Sequence, residues 1–354
     1  MINLRKLEHI FICNHCDVEY KKTTLLEDVE LIHSGCGGVD FSSIETEIEI
    51  FGKKLDAPII VSGITGGYEG AKEINKNIAK AVEELNLGMG VGSQRAGILN
   101  KDLEDTYSIV RKYTDGLVIG NLGAVNLMDS WGLEEIDKAV NMIDADALAI
   151  HFNPLQEIIQ PEGDVNFKNI NKLKLLIEEY KKEYKDIPFI AKQVGEGFSK
   201  EDAKKLSFFD AIDVQGSGGT SWAKVELYRV KDEEYKKILS KFSEWGIPTA
   251  LSILEVKSVY NKVIIGSGGI RSGIDIAKTI ILGCSSSGIA LPILKAALRS
   301  WEEVVKVLER YIKELKITMF LVGAENIDEL RNTPYIIKGQ LKELINQRIR
   351  GDTI

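Results

Sequence analysis

The sequence predicts an α/β chain, a (β/α)8 TIM barrel with an N-terminal extension, and three observations carry that prediction. Eight short apolar runs recur at intervals of roughly 30 residues, the length of one βα unit. Charged segments of helical spacing separate the runs, and polar, glycine-rich turns follow their C-terminal ends. An open doubly wound sheet is the alternative for the same alternation.

Residues 1–55 precede the first run and read as an extension that forms a lid or plug, with residues 56–354 as the barrel. Within the extension, Ile44-Glu45-Thr46-Glu47-Ile48-Glu49-Ile50 alternates apolar and polar side chains, which predicts a half-buried strand. The eight barrel strands are read at 58–62, 88–91, 117–121, 147–151, 188–192, 211–215, 263–266 and 287–290. Helical spacing is evident over 71–85, 103–113, 133–143 and 169–184. A longer spacer from Tyr228 to Val259 holds an extra helical segment and then Ile247-Pro248, as expected of an insertion covering the barrel mouth or meeting another subunit.

With 354 residues, 44% hydrophobic and 28% charged, the chain can bury a large core and has an ordinary globular composition. The formal net charge of −8 argues against a nucleic-acid partner, so an anionic ligand would need local basic residues. No stretch approaches ~18 consecutive apolar residues and the N-terminus lacks a signal-peptide pattern, so a cytoplasmic protein with no membrane partner is expected. Cys13, Cys16, Cys36 and Cys284 are too few for a disulfide framework. Cys13 and Cys16 have CxxC spacing, but no second pair completes four zinc ligands, and reduced thiols are expected.

The seventh run leads into Gly266-Ser267-Gly268-Gly269-Ile270-Arg271, and Gly288-Ile289-Ala290-Leu291-Pro292 follows one βα unit later. Glycines let backbone N–H groups converge on an anion, and the loops after the last two barrel strands are where phosphates commonly bind. The other strand ends are also polar: Ser62 to Gly67, Gly92 to Arg95, Asn121 to Ala124, His151 to Glu157, Lys192 to Gly195 and Gln215 to Trp222. A lone glycine motif is usually a turn, whereas six polar strand ends in register describe a constructed site.

Taken together, Arg5-Lys6-Leu7-Glu8-His9-Ile10, Thr65-Gly66-Gly67, Gly92-Ser93-Gln94-Arg95, Asn121-Leu122-Gly123, His151 through Asp164, Gly218-Gly219-Thr220-Ser221-Trp222 and Gly268-Gly269-Ile270-Arg271 closely resemble the type 2 isopentenyl diphosphate isomerases. The resemblance runs in order over nearly the whole chain. It implies an FMN-binding barrel that requires Mg2+, uses NAD(P)H as reductant and interconverts isopentenyl and dimethylallyl diphosphate, as a homotetramer or homo-octamer. It further implies cofactor binding by Gly63, Ile64, Thr65, Gly66, Ser93, Asn121, Lys192, Ser217, Thr220, Gly268, Gly269, Ile270, Arg271, Ala290 and Leu291. Substrate contacts fall on Arg5, Lys6, His9, Ser93, Gln94, Arg95, Asn153 and Gln156, the metal on Glu157, and catalysis on Gln156, Lys192 and His151. One departure is Gln193, where relatives commonly carry glutamate after the strand-five lysine; it removes a negative charge beside the flavin site.

Chemistry supports these assignments independently. Lys192 at a strand end could form a Schiff base or act as a cation facing the N1–O2 edge of a reduced flavin, and the phosphate cradle favours the second. Glu157 suits Mg2+, which takes one or two carboxylates and completes its shell with water and phosphate. Arg5, Lys6, Ser93 and Arg95 supply the donors a diphosphate needs. An FMN oxidoreductase of the 2-hydroxy-acid oxidase or nucleotide dehydrogenase type is the competing reading. The first needs a histidine late in the barrel and the second a cysteine after strand six; the histidines are His9, His15, His33 and His151, and Gly216 to Trp222 contains no cysteine. A non-catalytic flavin scaffold would keep the cradle without needing Arg5, Lys6, Gln156 and Glu157.

Overall fold

The computed structural model describes residues 2–351 and contains a closed barrel of eight parallel strands. We label them β1 (Ile59–Val61), β2 (Gly88–Gly90), β3 (Val118–Gly123), β4 (Ala147–His151), β5 (Phe189–Lys192), β6 (Ala211–Asp213), β7 (Val263–Ser267) and β8 (Ser286–Ile289). Each pairs with its sequence neighbours, and β8 closes on β1 through Ser287–Ile59, Gly288–Ile60 and Ile289–Val61. All eight lie within or beside the apolar runs, because parallel strands covered on both faces read as continuous hydrophobic segments. Closure excludes the open doubly wound sheet.

The N-terminal extension closes the barrel at both ends. Its hairpin, Ile48–Ile50 with Lys53–Leu55, turns through Phe51 (φ 52°) and Gly52 (φ 74°), the paired left-handed conformations of a two-residue hairpin turn. Ile50 and Leu55 pack beneath Ile60, Ile119, Ala149, Ile190 and Ile265 and plug the bottom of the barrel. The expected alternation over 44–50 appears in burial, but pairing begins only at Ile48, since Glu45 N–H is spent on Glu325 and Thr46 Oγ1 on Asp56. Earlier in the extension, Val29–Leu31 pairs antiparallel with Tyr335–Ile337, and Glu19 bridges Thr220.

At the opposite end lies the helix Ile2–His15, with Ile10, Ile12 and Cys13 buried in the main core. Helices Glu69–Glu84, Leu133–Met142 and Ile170–Glu183 match the expected segments, the last capped by Asn169. The expected helix over 103–113 is instead a series of short turns, Lys101–Leu103, Asp105–Ser108 and Ile109–Lys112. Thr106 explains the break: its hydroxyl accepts from Gly67 N and its carbonyl from Asn75 Nδ2, so tertiary bonds replace helical ones. The spacer after β6 supplies helices Glu233–Ser240 and Thr249–Lys257. Among the described residues no helix is long and apolar enough to cross a membrane.

Candidate active site

The C-terminal ends of the strands surround a cavity of about 190 Å³, against about 20 Å³ for the next. Gly63, Ile64 and Thr65 from β1, Ser93 and Arg95 after β2, Asn121 from β3, His151, Asn153, Gln156 and Glu157 from β4, and Lys192 from β5 all line it. Thr220, Gly268, Gly269, Ile270, Arg271, Ala290 and Leu291 complete the wall, and Arg5, Lys6 and His9 form its roof.

Two nitrogen bases sit at the floor, Lys192 buried and His151 half-buried. His151 Nδ1 lies 2.8 Å from Asn121 Oδ1, and Asn121 Nδ2 donates to the Val91 carbonyl at 3.1 Å. With the amide so oriented, Asn121 Oδ1 accepts and His151 carries its proton on Nδ1, leaving Nε2 as a free lone pair. Burial, reinforced by the charges of Lys192, Lys6 and Arg5, pulls His151 down to about 3, so the ring is neutral. Lys192 Nζ donates to the Gln193 carbonyl at 2.9 Å, and burial lowers its pKa against the upward pull of Asp213 and Glu196.

On the helix Pro154–Ile159, one asparagine organises the next two polar side chains. Asn153 Nδ2 donates to Gln156 Oε1 at 3.1 Å and to Glu157 Oε1 at 2.8 Å, and Asp164 N–H donates to Glu157 Oε2 at 2.8 Å. Gln156 Nε2 donates in turn to Glu226 Oε1 at 3.0 Å. Glu226 is a residue the sequence reading missed. It is fully buried on the helix Trp222–Leu227, with His9 Nε2 at 2.9 Å and Arg229 Nη1 at 2.7 Å. Burial opposes its ionisation, but hydrogen bonds from His9, Gln156 and Arg229 hold it down to about 2. Gln156 is thus clamped between a permanent anion and Asn153.

The roof is basic and incompletely paired. Lys6 Nζ donates to Ser93 O at 2.7 Å and to Tyr107 Oη at 2.8 Å, and burial together with neighbouring Arg5 lowers it to about 7. Arg5 Nε and Arg95 Nε are buried without a hydrogen-bond partner, as is Asn153 Oδ1. Unpaired buried donors on two guanidiniums call for an anion.

The glycine turn after β7 has Gly268 at φ 101° and Gly269 at φ 73°. A Cβ on Gly268 would collide with the Gly216 backbone, and one on Gly269 would meet Thr24 Cγ2 at 2.5 Å. The turn must therefore be glycine both to curve and to nest against the loop after β6.

The family model for FMN-dependent dehydrogenases matches residues 246–337, a span that holds this turn and the Ala290-Leu291 segment. An isopentenyl-diphosphate delta-isomerase of Methanocaldococcus jannaschii is 73% identical over 99% of this chain and 98% of its own length. The chain belongs to the isopentenyl-diphosphate delta-isomerase family. Within that family, the enzyme of Methanothermobacter thermautotrophicus is 44% identical over 98% of this chain and 97% of its own. The FMN-dependent match fits the type 2 branch of isopentenyl-diphosphate delta-isomerases. Among solved structures, a Pediococcus acidilactici lactate oxidase aligns with TM-score 0.66 at 16% identity, over 91% of this chain and 88% of its own. A mandelate oxidase with (S)-2-phenylpropionate aligns with TM-score 0.59 at 19% identity, over 93% and 90% of the two chains. Identities this low establish the shared barrel alone.

In this isopentenyl-diphosphate delta-isomerase family member, three sequence-assigned residues lie off the cavity wall. Gln94 is fully buried and turned away, donating to the Ala139 carbonyl at 2.8 Å and accepting from Asn121 N–H at 2.9 Å. Gly66 underlies the Tyr107 ring, which a Cβ there would strike. Ser217 is buried with its Oγ unpartnered behind the loop, while Gln215, two residues earlier, faces the cavity. Arg271 reaches the wall, but its guanidinium Nε bonds Glu19 at 3.2 Å. Gln193 Oε1 accepts from Gly195 N–H at 3.3 Å and Glu196 N–H at 3.4 Å, so its amide braces its own loop.

Proposed function

We propose that this chain interconverts isopentenyl diphosphate and dimethylallyl diphosphate in the cytoplasm, with reduced FMN as acid/base catalyst in the barrel mouth and Mg2+ on Glu157. The observation that carries the proposal is the clamped Gln156, flanked by Glu157 and lying in one cavity with Arg5 and Arg95, each of which has a buried Nε without a partner. The lining suits FMN in its chemistry: the left-handed glycine turn would approach its phosphate, and Lys192 would face the electron-rich edge of the ring. When bound, reduced FMN supplies an electron-rich ring able to stabilise developing positive charge and a nitrogen able to exchange protons.

The protein's own groups then divide the remaining work. Arg5, Arg95 and Lys6 would hold the diphosphate, and Glu157 would hold a cation that neutralises its charge. Among the described residues no group of three or more His, Cys, Asp or Glu side chains could hold a metal, so Glu157 would be the anchoring carboxylate, with phosphate oxygens completing the shell. Gln156, fixed by Glu226 and Asn153, orients the hydrocarbon end and is the side-chain candidate for a proton path, and neutral His151 offers a lone pair. The oxidase reading finds no late-barrel histidine base, since no histidine follows His151, and the nucleotide dehydrogenase reading finds no cysteine from Gly216 to Trp222.

The test is an anaerobic assay with isopentenyl diphosphate, FMN, Mg2+ and NAD(P)H as reductant. Activity is expected only after the flavin is reduced and without net consumption of reductant, because the two diphosphates have one oxidation state. Stoichiometric oxidation of NAD(P)H coupled to product would support the oxidoreductase instead. Released cofactor should chromatograph as FMN, since the described residues contain no Rossmann unit for an adenosine half. The family resemblance also supports a homotetramer or homo-octamer, to be read by sedimentation.

Lys6 adds a pH signature. With its folded pKa lowered to about 7, it is largely neutral at pH 8 in the free protein, and an incoming diphosphate restores the proton. Substrate binding should take up about one proton per site at pH 8 and only about a tenth of one at pH 6. Calorimetry in two buffers of different ionisation enthalpy reads this directly; equal uptake at both pH values would remove Lys6 from the diphosphate site.

A further inference from the structure

Beneath the main cavity, inside the barrel, lies the second cavity of about 20 Å³. Its walls are apolar at Ile60, Ile119, Ile190 and Ile265, yet Ser62, Asn121, Lys192 and Asp213 also face it. A space of this size with several polar partners has room for a single water. Strand register sets Asp213 opposite Lys192 on one side and His151 opposite Lys192 on the other.

Asp213 accepts hydrogen bonds from two neighbours. Ser267 Oγ donates to it, and Gln215 Nε2 donates at 3.1 Å while also reaching Ser62 Oγ at 3.1 Å. Gln215 occupies φ 37°, a conformation disfavoured for a residue with a Cβ, and its own N–H bonds Ser267 Oγ at 2.9 Å. Backbone strain at a strand end is thus retained where it aims an amide at this carboxylate.

We propose that Asp213 is a positioning residue: through a water in the lower cavity it is the counter-ion of Lys192 and keeps that amine protonated where it meets the flavin. The inference rests on the reading that FMN occupies the barrel mouth. Three titratable groups face Lys192, and they are not equivalent. His151, on β4, is neutral and offers no charge. Glu196, on the loop after β5, has both oxygens buried without partners, and burial pushes it up to about 7, so it is only partly ionised at neutral pH. Burial also raises Asp213, but Lys192, Ser267 and Gln215 pull it back toward the ionised form. Asp213 is therefore the carboxylate opposite Lys192 whose oxygens accept hydrogen bonds, the arrangement that favours its ionised form, whereas those of Glu196 accept none.

The test uses Asp213→Asn in the full chain, with two readouts. In flavin-free protein, 13C NMR of the lysine Cε, with the Lys192 signal assigned by its loss in Lys192→Met, follows the amine through its titration. Its midpoint should fall by about one pH unit or more in Asp213→Asn. In the FMN-loaded protein, the flavin midpoint potential is followed against pH. A carboxylate acting only as a nearby negative charge would, when removed, raise the potential at every pH. A carboxylate that keeps Lys192 protonated should instead let the potential drop below wild type on the alkaline side, toward that of Lys192→Met. An unchanged Lys192 titration, or a potential raised throughout, overturns the proposal. Should Asp213→Asn fail to fold, Ser267→Ala removes one donor from the carboxylate and should lower the Lys192 midpoint by a smaller amount; no change there also overturns it. Wild-type protein that binds no flavin would defeat the functional reading, while the flavin-free titration would still decide this one.

Discussion

Replacing Glu157 by glutamine is expected to lower kcat/KM by about 100-fold or more and to raise the Mg2+ needed for half-maximal activity by at least ~10-fold. The carboxylate accepts on both oxygens, from Asn153 Nδ2 and from Asp164 N–H. A glutamine has one acceptor and one NH2, so in either orientation an N–H faces another donor. It also loses the charge a hard cation requires. The same asparagine touches Gln156, so the contrast with Gln156→Ala is informative: there turnover should fall more than substrate affinity, because Gln156 is tied to Glu226 and carries no charge for the metal. Equal, small effects of both substitutions on turnover and Mg2+ dependence would show that this helix start is structural.

Glu226 shows where sequence reading stops. Its partners come from the N-terminal helix, from Gln156 70 residues away, and from Arg229 one turn on, and no local spacing announces that convergence. The only local signal is a carboxylate on the inward face of a short helix beside Gly-Gly-Thr-Ser-Trp. The barrel itself was legible because strands buried on both faces cannot hide their apolar runs, and polar strand ends then mark the functional rim. The structure departs from the expectation where contiguity stands in for direction. Gln94 shares its motif with Ser93 and Arg95, yet the chain turns into a helix at Arg95 and sends its amide toward Ala139. Ser217 follows Gln215 by two residues and would share its face in a regular strand, but β6 ends at Asp213 and Gln215 turns through positive φ. Period-two reasoning fails once the strand has ended.

Deleting residues 1–9 is expected to leave the fold and FMN binding intact while weakening diphosphate binding by about 100-fold or more. Arg5, Lys6 and His9 lie on the helix Ile2–His15, which Ile10, Ile12 and Cys13 anchor beyond the cut. Little is orphaned by their removal. Tyr107 Oη still donates to Ser93 O at 2.7 Å once Lys6 is gone, and Glu226 keeps Arg229 and Gln156 when His9 is lost. What disappears is Arg5, with a buried Nε lacking any protein partner, and the Lys6 amine, the roof's share of positive charge in a chain of net charge −8. Two charge-assisted contacts at roughly 1.5–3 kcal/mol each account for a loss of this size. Equilibrium binding of substrate to the FMN-loaded, truncated protein measures it, with flavin retention and thermal unfolding as controls. Normal affinity would assign the diphosphate to Ser93, Arg95 and the metal alone, and a truncated chain that cannot fold would make the segment a structural plug.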